Sequence, residues 1–232
     1  LVRSRWLGDV YKRQTWYTKW RIGIYPNYFK NVQFPHDQES LNQFMRQITP
    51  DTGPIDFDVN TDAIAALFDK LEGAIMMAHS QGVMHTWKTM TKTKNIKAVI
   101  ALEGGGFFSF PTDEPHPITE ASKEIEYIMV SPDTFKVFTQ TPILLIYGDN
   151  IPTEHSNIPE LDIWRIRLDL AYQWANTVNK HGGNVTIIHL PKIGIYGNTH
   201  FPMSDLNNID IANVILEWLL SLIHISEPTR PY

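Results

Sequence analysis

The sequence contains no cysteine, no long hydrophobic run and no block of charge of one sign. The absence of cysteine excludes disulfides, thiolate catalysis and cysteine-ligated zinc, although such a chain is compatible with either redox compartment. No stretch of about eighteen uninterrupted apolar residues occurs, so we expect no membrane span. The 20 basic and 25 acidic residues are interspersed and leave a net charge of only −5, which gives no electrostatic footprint for nucleic acid. The expected partner is a small molecule.

The domain organisation follows from length and from the two ends. The 232 residues, 43% of them hydrophobic, suffice for one core, and no internal repeat is present. Two terminal stretches, "SRWLGDVYKRQ" and "SLIHISEPTRPY", resemble translated sequencing adapters. We therefore expect a non-native segment over residues 1–14, a domain over residues 15–219 and a non-native tail over residues 220–232. The chain would then be a gene fragment cut at both sides; the alternative is a real basic arm and a real polar tail.

Short apolar runs alternate with amphipathic segments along this domain. Strands buried on both faces are predicted in "AIMMAHS", "IKAVIALEGGG", "TPILLIYGDN" and "NVTIIHLPKIG". Helices are predicted in "NTDAIAALFDKLEG", capped by Asn60 or Thr61, and in "VMHTWKTMTKT", "DIWRIRLDLAYQWANTVNKHGG" and "NIDIANVILEWLL". An irregular proline-rich insert is expected over residues 107–132. Strands alternating with helices predict an α/β fold with a mostly parallel sheet flanked by helices.

The first predicted strand ends in a serine that directly precedes a helix, in Ala78-His79-Ser80-Gln81-Gly82. This is the pattern of a nucleophile elbow, G-x-S-x-G, with alanine in place of the first glycine. Ala78 and Gly82 are expected to be small because the sharp turn brings strand and helix backbones together. Such a turn exposes the Ser80 hydroxyl above the strand ends and lets the Gln81 N–H face an oxyanion. The simpler alternative is that Ser80 only caps the helix.

A serine nucleophile needs a base within hydrogen-bond reach and a carboxylate that orients the base. Of the nine histidines, only His200, in "GNTHFPMSD", lies in a polar loop after the final strand, where an elbow of this kind requires its base. His189 lies in an apolar strand and is expected to be a hydrogen-bonded core residue. His79 flanks Ser80 and is expected to point to the opposite side of the elbow.

Two carboxylates are candidates for the orienting acid. Asp149 follows the third strand in "LLIYGDN", the commonest location for this residue, and Glu103 follows the second strand in "VIALEGGG". The carboxyl ends of parallel strands share one edge of the sheet, so either carboxylate is expected within reach of the base. Asp149 also suits an ordinary turn, whereas Glu103 is otherwise explained as a solvated loop charge or a helix-capping acceptor.

Several motifs together resemble a subgroup of bacterial α/β-hydrolase esterases. The resemblance rests on "AHSQGV", "ALEGGG", "PILLIYGDNI" and "KIGIYGNTHFPMSDLNNIDIANVILEWL", and it covers nearly all of residues 21–219. In that subgroup the triad acid is a glutamate after strand six, which corresponds here to Glu103. The resemblance therefore implies a triad of Ser80, Glu103 and His200, with Asp149 in a supporting role.

The resemblance also implies the substrate class, the location and the oxyanion hole. The subgroup acts on carboxylic esters and is commonly exported, so a secreted or periplasmic protein is implied. Its oxyanion hole uses the N–H after the nucleophile, which corresponds to Gln81, and a second N–H from a loop near the N-terminal strands. Upstream of Asn60 we find no strand followed by a glycine-rich loop, only what reads as a loop-and-helix excursion. The early strands and the second donor are expected to be missing, which would expose a hydrophobic sheet edge.

Three functions are consistent with these patterns. The first is a serine carboxylesterase that forms an acyl-enzyme and needs no metal or organic cofactor. Its substrate pocket is expected to contain Phe107, Phe108 and His79; for the insert phenylalanines, which include Phe110, the alternative is a lid packed for its own stability. The second is a non-catalytic binding module or an inactive fragment. The third keeps the triad but cleaves an amide, a thioester or a lactone, whereas an aspartate-nucleophile hydrolase is disfavoured because Ser80 occupies the elbow. No oligomeric state is predicted.

Overall fold

Strands and helices alternate along the chain, as the pattern of apolar runs predicts. The computed structural model describes residues 14–48, 53–118 and 127–226. The strands are β1 (Gly23–Ile24), β2 (Asn27–Tyr28), β3 (Ala74–His79), β4 (Ile96–Leu102), β5 (Ser109–Pro111), β6 (Ile128–Val130), β7 (Ile143–Tyr147) and β8 (Val185–His189). The helices are α1, which includes residues 14–19, α2 (Gln38–Arg46), α3 (Phe57–Lys70), α4 (Gln81–Met90), α5 (Pro132–Phe135), α6 (Pro159–Lys180) and α7 (Asn208–Ser226).

The central sheet has four parallel strands in the order β3-β4-β7-β8. They coincide with the four predicted apolar runs, which confirms the α/β class and the parallel sheet. All residues of β7 are buried, as are six of the seven residues of β4, because helices cover both faces of the sheet there. Since the strands run in one direction, the residues that follow β3, β4 and β8 meet at the same edge.

The helices pack on the sheet from two sides. In β4, Val99 and Ala101 belong to the core cluster that includes residues of α3, α4 and α6. Ile100 and Leu102 belong to a second cluster, which includes Trp218 of α7. This alternation follows from the period of two residues along a strand. A layer of helices therefore lies on each face of the sheet.

Helix α3 begins earlier than predicted. Its N-cap is Asp56, whose carboxylate accepts hydrogen bonds from two backbone N–H groups of the first turn, each at 3.0 Å. Thr61, one of the two predicted caps, lies inside the helix and donates its hydroxyl to the Phe57 carbonyl at 2.6 Å. The prediction of Asn60 or Thr61 as the cap was wrong because Asp56 satisfies two free donors at once.

Strand β3 is not buried on both faces, contrary to the prediction. Ile75 is 49% exposed and Met77 is 56% exposed. Within the described residues β3 pairs with β4 and with no other strand, so it forms an edge of the sheet. The side chains of Ile75 and Met77 alternate with the buried Met76 and point away from the larger core cluster.

The region before β3 contains a small separate cluster. β1 and β2 form a two-stranded antiparallel pair, so this region is not only loop and helix as predicted. Neither strand joins the central sheet. Together with α1 and α2 they surround a third hydrophobic cluster, which consists of Tyr17, Ile22, Val32, Phe34 and Met45.

The proline-rich insert is more regular than predicted. β5 and β6 form a short parallel pair within it, while residues 119–126 of the insert lie outside the described part. Phe108 and Phe110 are buried in the main core cluster. Phe108 packs against Trp87 and Trp174, with ring centroids 5.7 and 5.0 Å away. These two phenylalanines therefore anchor the insert to the core.

The last two long helices agree with the sequence patterns, and α7 runs beyond the predicted boundary at residue 219 to Ser226. Residues 1–13 and 227–232, which belong to the two predicted adapter-derived ends, lie outside the described residues. Among the helices that the structure describes, none is long and apolar enough to cross a membrane.

Candidate active site

Ser80 lies at the sharp turn between β3 and α4. Its backbone has φ 53° and ψ −119°, a strained conformation that glycine adopts more readily than serine. Its N–H donates to the Leu102 carbonyl at 2.9 Å, which ties the turn to β4. The Ser80 side chain makes no capping hydrogen bond with α4. The simpler alternative, in which Ser80 only caps the helix, is therefore wrong, and the hydroxyl points to another partner.

The residues around this turn are small, but the space at residue 82 is less restricted than the elbow pattern predicts. A Cβ atom built on Gly82 would lie 3.8 Å from the Ala78 Cβ, an ordinary van der Waals contact. An alanine would therefore fit at residue 82, whereas a longer side chain would meet Ala78. Gln81 is the first residue of α4, so its N–H belongs to the positive end of the helix.

His200 approaches the Ser80 hydroxyl from the loop before α7. Its Nε2 lies 2.8 Å from Ser80 Oγ, and its Nδ1 lies 3.3 Å from Oε2 of Glu103. The His200 N–H donates to the Trp20 carbonyl at 2.9 Å. The neighbouring backbone is held by Asp205, whose carboxylate accepts two hydrogen bonds from the residue before His200. The loop therefore fixes the imidazole between a hydroxyl and a carboxylate.

Glu103 follows β4 directly and is completely buried, at 0% exposure. Its backbone has a positive φ of 55°, which turns the chain sharply as the strand ends. Oε1 accepts a hydrogen bond from the Gly148 N–H. Oε2 lies 2.6 Å from Nη2 of Arg21 and also faces His200. Both oxygens of the carboxylate are therefore held by donors.

Asp149 does not contact the imidazole in the described structure. One of its carboxylate oxygens accepts from the Asn150 N–H at 2.6 Å and the other from the Gly197 N–H at 2.7 Å. These bonds link the turn after β7 to the loop that carries His200. Of the two candidate acids, Glu103 faces the imidazole, whereas Asp149 stabilises the turn after β7 through hydrogen bonds.

The protonation of His200 and Glu103 follows from their burial and charges. Burial lowers the pKa of the His200 imidazole to about 4; Glu103 acts against this shift, and the positive charge of Arg21 adds to it. Burial by itself raises the pKa of Glu103, but Arg21 and His200 outweigh it and bring the pKa to about 2. At neutral pH the imidazole is uncharged and the carboxylate is ionised. An uncharged imidazole beside a hydroxyl is able to accept its proton.

Comparison with known proteins gives two relevant similarities. No protein-family model matches the chain. The chain is 26% identical over 188 residues to "Probable secreted lipase phiG" of Fungal sp. (strain ATCC 74256), which covers 72% of this chain and 51% of the lipase. It also resembles a solved structure described as that of a novel bacterial esterase, with a TM-score of 0.70 and 26% identity over 89% of this chain and 57% of the other. The chain has an esterase-type α/β-hydrolase fold.

The chain spans only about half the length of the curated relative that it matches, 51%. Ser80, His200 and Glu103 follow three different strands of its sheet and meet at one edge, as predicted from the direction of the strands.

Two other histidines differ from expectation. His79 does not point away from the base, because its Nε2 lies 2.6 Å from the His200 carbonyl oxygen and the two rings are 4.8 Å apart. Burial lowers the pKa of His79, so we treat its imidazole as uncharged near neutral pH. His189 is only half buried, and its Nε2 has no hydrogen-bond partner within the described residues. The expectation of a hydrogen-bonded core residue was therefore wrong for that atom.

The predicted substrate-pocket residues separate into two groups. Phe107 is partly exposed and stacks on Phe57 at 6.1 Å, and Phe57 in turn stacks on His85 of α4 at 4.5 Å. Phe108 has 0% exposure and lies in the core, so its assignment to a substrate pocket was wrong. For Phe108 the alternative, packing for stability, is the correct one, because Trp87 and Trp174 cover its ring.

Arg21 and Trp164 are two site residues that the sequence patterns did not reveal. Arg21 is completely buried beside Glu103, and its guanidinium carbon lies 4.4 Å from the centroid of the Trp164 ring. The Trp164 ring lies 4.7 Å from the His200 ring. One signal was present, since Arg21 is a cation between the apolar residues Trp20 and Ile22. That position alone does not identify its distant carboxylate partner.

Proposed function

We propose that this chain carries the catalytic machinery of a serine hydrolase that cleaves carboxylic esters through an acyl-enzyme. The observation that carries the proposal is the 2.8 Å separation between Ser80 Oγ and His200 Nε2 at a strained turn, with Glu103 on the other side of the imidazole. Esterase and lipase relatives support the ester as substrate. Because the chain spans about half of the lipase, the activity of the whole protein belongs to the proposal.

The proposed mechanism begins with proton transfer from Ser80 to His200. As the O–H bond breaks, Ser80 Oγ forms a bond to the ester carbonyl carbon, and the carbonyl oxygen becomes an oxyanion. The Gln81 N–H, at the start of α4, is proposed to stabilise this oxyanion. Glu103 stabilises the imidazolium and fixes the tautomer in which Nδ1 carries the proton.

The tetrahedral intermediate then collapses and expels the alcohol. His200 gives its proton to the leaving oxygen, so the ester C–O bond breaks and an acyl-Ser80 remains. Water attacks the acyl-enzyme as its proton passes to His200, and a second collapse returns the proton to Ser80 and releases the carboxylic acid. These reaction steps require no oxidant, metal or organic cofactor.

The proposed substrate pocket includes Phe107 and His79. Phe107, Phe57 and His85 form a row of stacked, partly exposed aromatic rings. His85 Nδ1 lies 3.3 Å from the Gln81 carbonyl oxygen, so this row reaches the first turn of α4. Aromatic faces favour an apolar acyl or aryl group. His79 contacts the backbone of the base directly, so a substrate beside it would lie next to the reacting atoms.

The experiment that tests the proposed function is the substitution Ser80→Ala, measured with short-chain p-nitrophenyl esters. Release of p-nitrophenol should fall by several orders of magnitude, because the nucleophile is lost. Ser204→Ala is the matched control, because Ser204 is an exposed serine of the loop that carries His200, and it should keep the wild-type rate. Hydrolysis at the wild-type rate by the Ser80 variant would overturn the proposal. The same panel, extended to amides, thioesters and lactones, identifies the bond that is cleaved.

A second candidate function is a non-catalytic binding module or an inactive fragment. It is favoured by one observation: in residues 14–48 and 53–73 no strand joins the central sheet, so no loop there follows a sheet strand and supplies a second oxyanion donor. Loss of one such donor typically costs two to three orders of magnitude in turnover, roughly 10²–10³-fold. An ester that binds the wild-type chain in calorimetry and is recovered intact would favour this candidate.

Export is the last part of the proposal. The fungal relative is described as a secreted lipase, and the resemblance of the motifs to commonly exported esterases agrees with that description. Fractionation of cells that express the complete gene, followed by an esterase assay on each fraction, tests this point. Activity confined to the cytoplasm would contradict it.

A further inference from the structure

The end of α1 and the two residues after it are tied to the active site by three successive residues. The Lys19 carbonyl accepts from Nε1 of Trp164 at 2.7 Å. The next carbonyl, that of Trp20, accepts from the His200 N–H at 2.9 Å. Arg21 then reaches Glu103. These residues are 59 to 61 positions before Ser80 in the sequence, yet they contact the proposed base, its acid and the ring beside them.

We propose that Arg21 is a positioning residue, which holds the Glu103 carboxylate against His200 and offsets part of its negative charge. This inference rests on the proposed function for the roles of Glu103 and His200. Arg21 would touch neither the substrate nor the reacting atoms, because its side chain is completely buried. It would act through the carboxylate.

The geometry of the guanidinium supports a positioning role. Nε donates to the Asp149 carbonyl at 2.8 Å, while Nη2 lies 2.6 Å from Oε2 of Glu103. The guanidinium carbon lies over the Trp164 ring, 4.4 Å from the ring centroid. One hydrogen bond, one ion-pair contact and one ring contact hold the guanidinium, and a lysine ammonium does not reproduce all three.

The same carboxylate oxygen faces both Arg21 and His200. Oε2 of Glu103 contacts Arg21 and also Nδ1 of His200, whereas Oε1 is occupied by the Gly148 N–H. Donors on both oxygens prevent the carboxylate from rotating away from the imidazole. Removal of Arg21 would release one side of Oε2 and leave an ionised buried carboxylate with the imidazole as the remaining partner of that oxygen.

The charge balance at His200 gives this inference a measurable consequence. The ionisable groups that influence the imidazole are Glu103, which favours its protonated form, and Arg21 and His79, which disfavour it. The Ser80 hydroxyl and the Trp164 ring also face it but carry no charge. Without Arg21 the carboxylate would attract the imidazole proton more strongly, so protonated His200 would persist to higher pH.

A buried ion pair by itself adds little to the stability of a fold. Well-packed hydrophobic residues often stabilise a core as much as a buried pair of charges, because both charges lose their hydration. A purely structural role therefore gives no reason for a cation at this place. A role in setting the position and charge of the proposed acid does.

The test compares two neutral variants, Arg21→Met and Arg21→Gln, with the charge-conserving variant Arg21→Lys in the full chain. NMR titration of the His200 Cε1–H signal measures the imidazole pKa and needs no turnover. We expect the neutral variants to raise this pKa by roughly one pH unit or more, and the lysine variant to stay near the wild type. The acidic limb of kcat/KM should move by the same amount and in the same direction.

Arg165→Met is the matched control, since Arg165 is a partly buried arginine paired with Asp162 on the same helix at 2.8 Å; its variant should leave the His200 pKa unchanged. An unchanged or lowered His200 pKa in the neutral variants would overturn the inference. If neither neutral variant folds, Arg21→Lys decides, because loss of the fork should lower kcat with little change in KM, and a wild-type kcat would overturn the inference. Failure of the proposed function has a different signature, namely ester hydrolysis that does not depend on Ser80.

Discussion

Replacement of Glu103 by glutamine would remove both a charge and an acceptor from the centre of the site. Oε1 accepts from the Gly148 N–H, while Oε2 faces Arg21 at 2.6 Å and Nδ1 of His200 at 3.3 Å. A glutamine side chain has one oxygen and one NH2 group. In either orientation the NH2 group faces a donor, so at least one donor loses its acceptor and the Arg21 charge loses its partner.

The structure allows the size of this effect to be stated for stability and for rate separately. Breaking a buried ion pair by removing one partner costs about 3–5 kcal/mol of the free energy of unfolding. For the rate, loss of the carboxylate that orients the imidazole of a serine triad reduces kcat by about 10⁴-fold, which corresponds to about 5 kcal/mol of activation free energy. We therefore expect Glu103→Gln to fold less stably and to lose nearly all activity.

Asp149→Asn is the matched control for this prediction, because it makes the same chemical change at the other candidate acid. The two carboxylate oxygens of Asp149 accept from the N–H groups of Asn150 and Gly197. An asparagine has only one side-chain oxygen, so one of these donors loses its acceptor. The cost is about 1–3 kcal/mol of stability. Since the Asp149 carboxylate has no contact with His200 in the described structure, we expect kcat to stay within about tenfold of the wild type.

The assay is kcat and KM for a p-nitrophenyl ester at neutral pH, together with urea unfolding of each variant. Unfolding curves give the folded fraction, by which each rate is corrected. A severe loss in Asp149→Asn with near-wild-type turnover in Glu103→Gln would refute the assignment of Glu103 as the acid.

Three further outcomes are expected. The kcat/KM profile should be flat near neutral pH and fall by half near pH 4, because the pKa of His200 is about 4 and its protonated form cannot accept the serine proton; a limb near pH 6.5 would contradict the burial of the imidazole. Phe107→Ala should raise KM for aryl or long acyl esters by about 10-fold or more, whereas Phe108→Ala should instead lower the free energy of unfolding by about 3–5 kcal/mol; the reverse pattern in kinetics and urea unfolding would refute the division between pocket and core. Met77→Lys, on the exposed edge strand, should reduce light scattering on storage while changing the unfolding free energy by less than about 0.5 kcal/mol; unchanged scattering would show that this edge does not drive association.

The parts of the fold that the sequence predicted are those set by local patterns. Four apolar runs became the four parallel strands, since a strand covered on both faces needs no polar alternation. The turn at Ser80 was predicted from its small neighbours at a strand-to-helix junction. His200 was predicted as the base from its position in a polar loop. These features depend on a few adjacent residues, which a sequence displays directly.

The features that sequence patterns missed depend on contacts between distant residues. Arg21 and Glu103 are 82 positions apart, and nothing near Arg21 identifies its partner. The exposure of β3 depends on whether another strand lies beside it. Met77 and its apolar neighbours give the sequence pattern of a buried strand with or without that second neighbour. Phe108 shows the same limit, because a phenylalanine that follows an active-site loop has the same sequence signal whether its ring points into a pocket or into the core.

The choice between Glu103 and Asp149 lay between these two cases. Both follow strands that end at one edge of the sheet, so the local pattern left both open. Asp149 also suited an ordinary turn, and the resemblance to a known subgroup favoured Glu103. In the structure, Oε2 of Glu103 lies 3.3 Å from Nδ1 of His200, and the Glu103 backbone turns with a positive φ of 55° as β4 ends. Asp149 is instead held by two backbone N–H groups.

The central claim is that Ser80 is a nucleophile activated by His200, and covalent labelling tests it most directly. The chain is treated with a fluorophosphonate, and the modified peptide is identified by mass spectrometry. We predict one adduct, on Ser80, that forms at least about 10²-fold more slowly in His200→Gln because the hydroxyl then lacks its base. An adduct on another residue, or labelling of Ser80 at the same rate in the His200 variant, would contradict the claim.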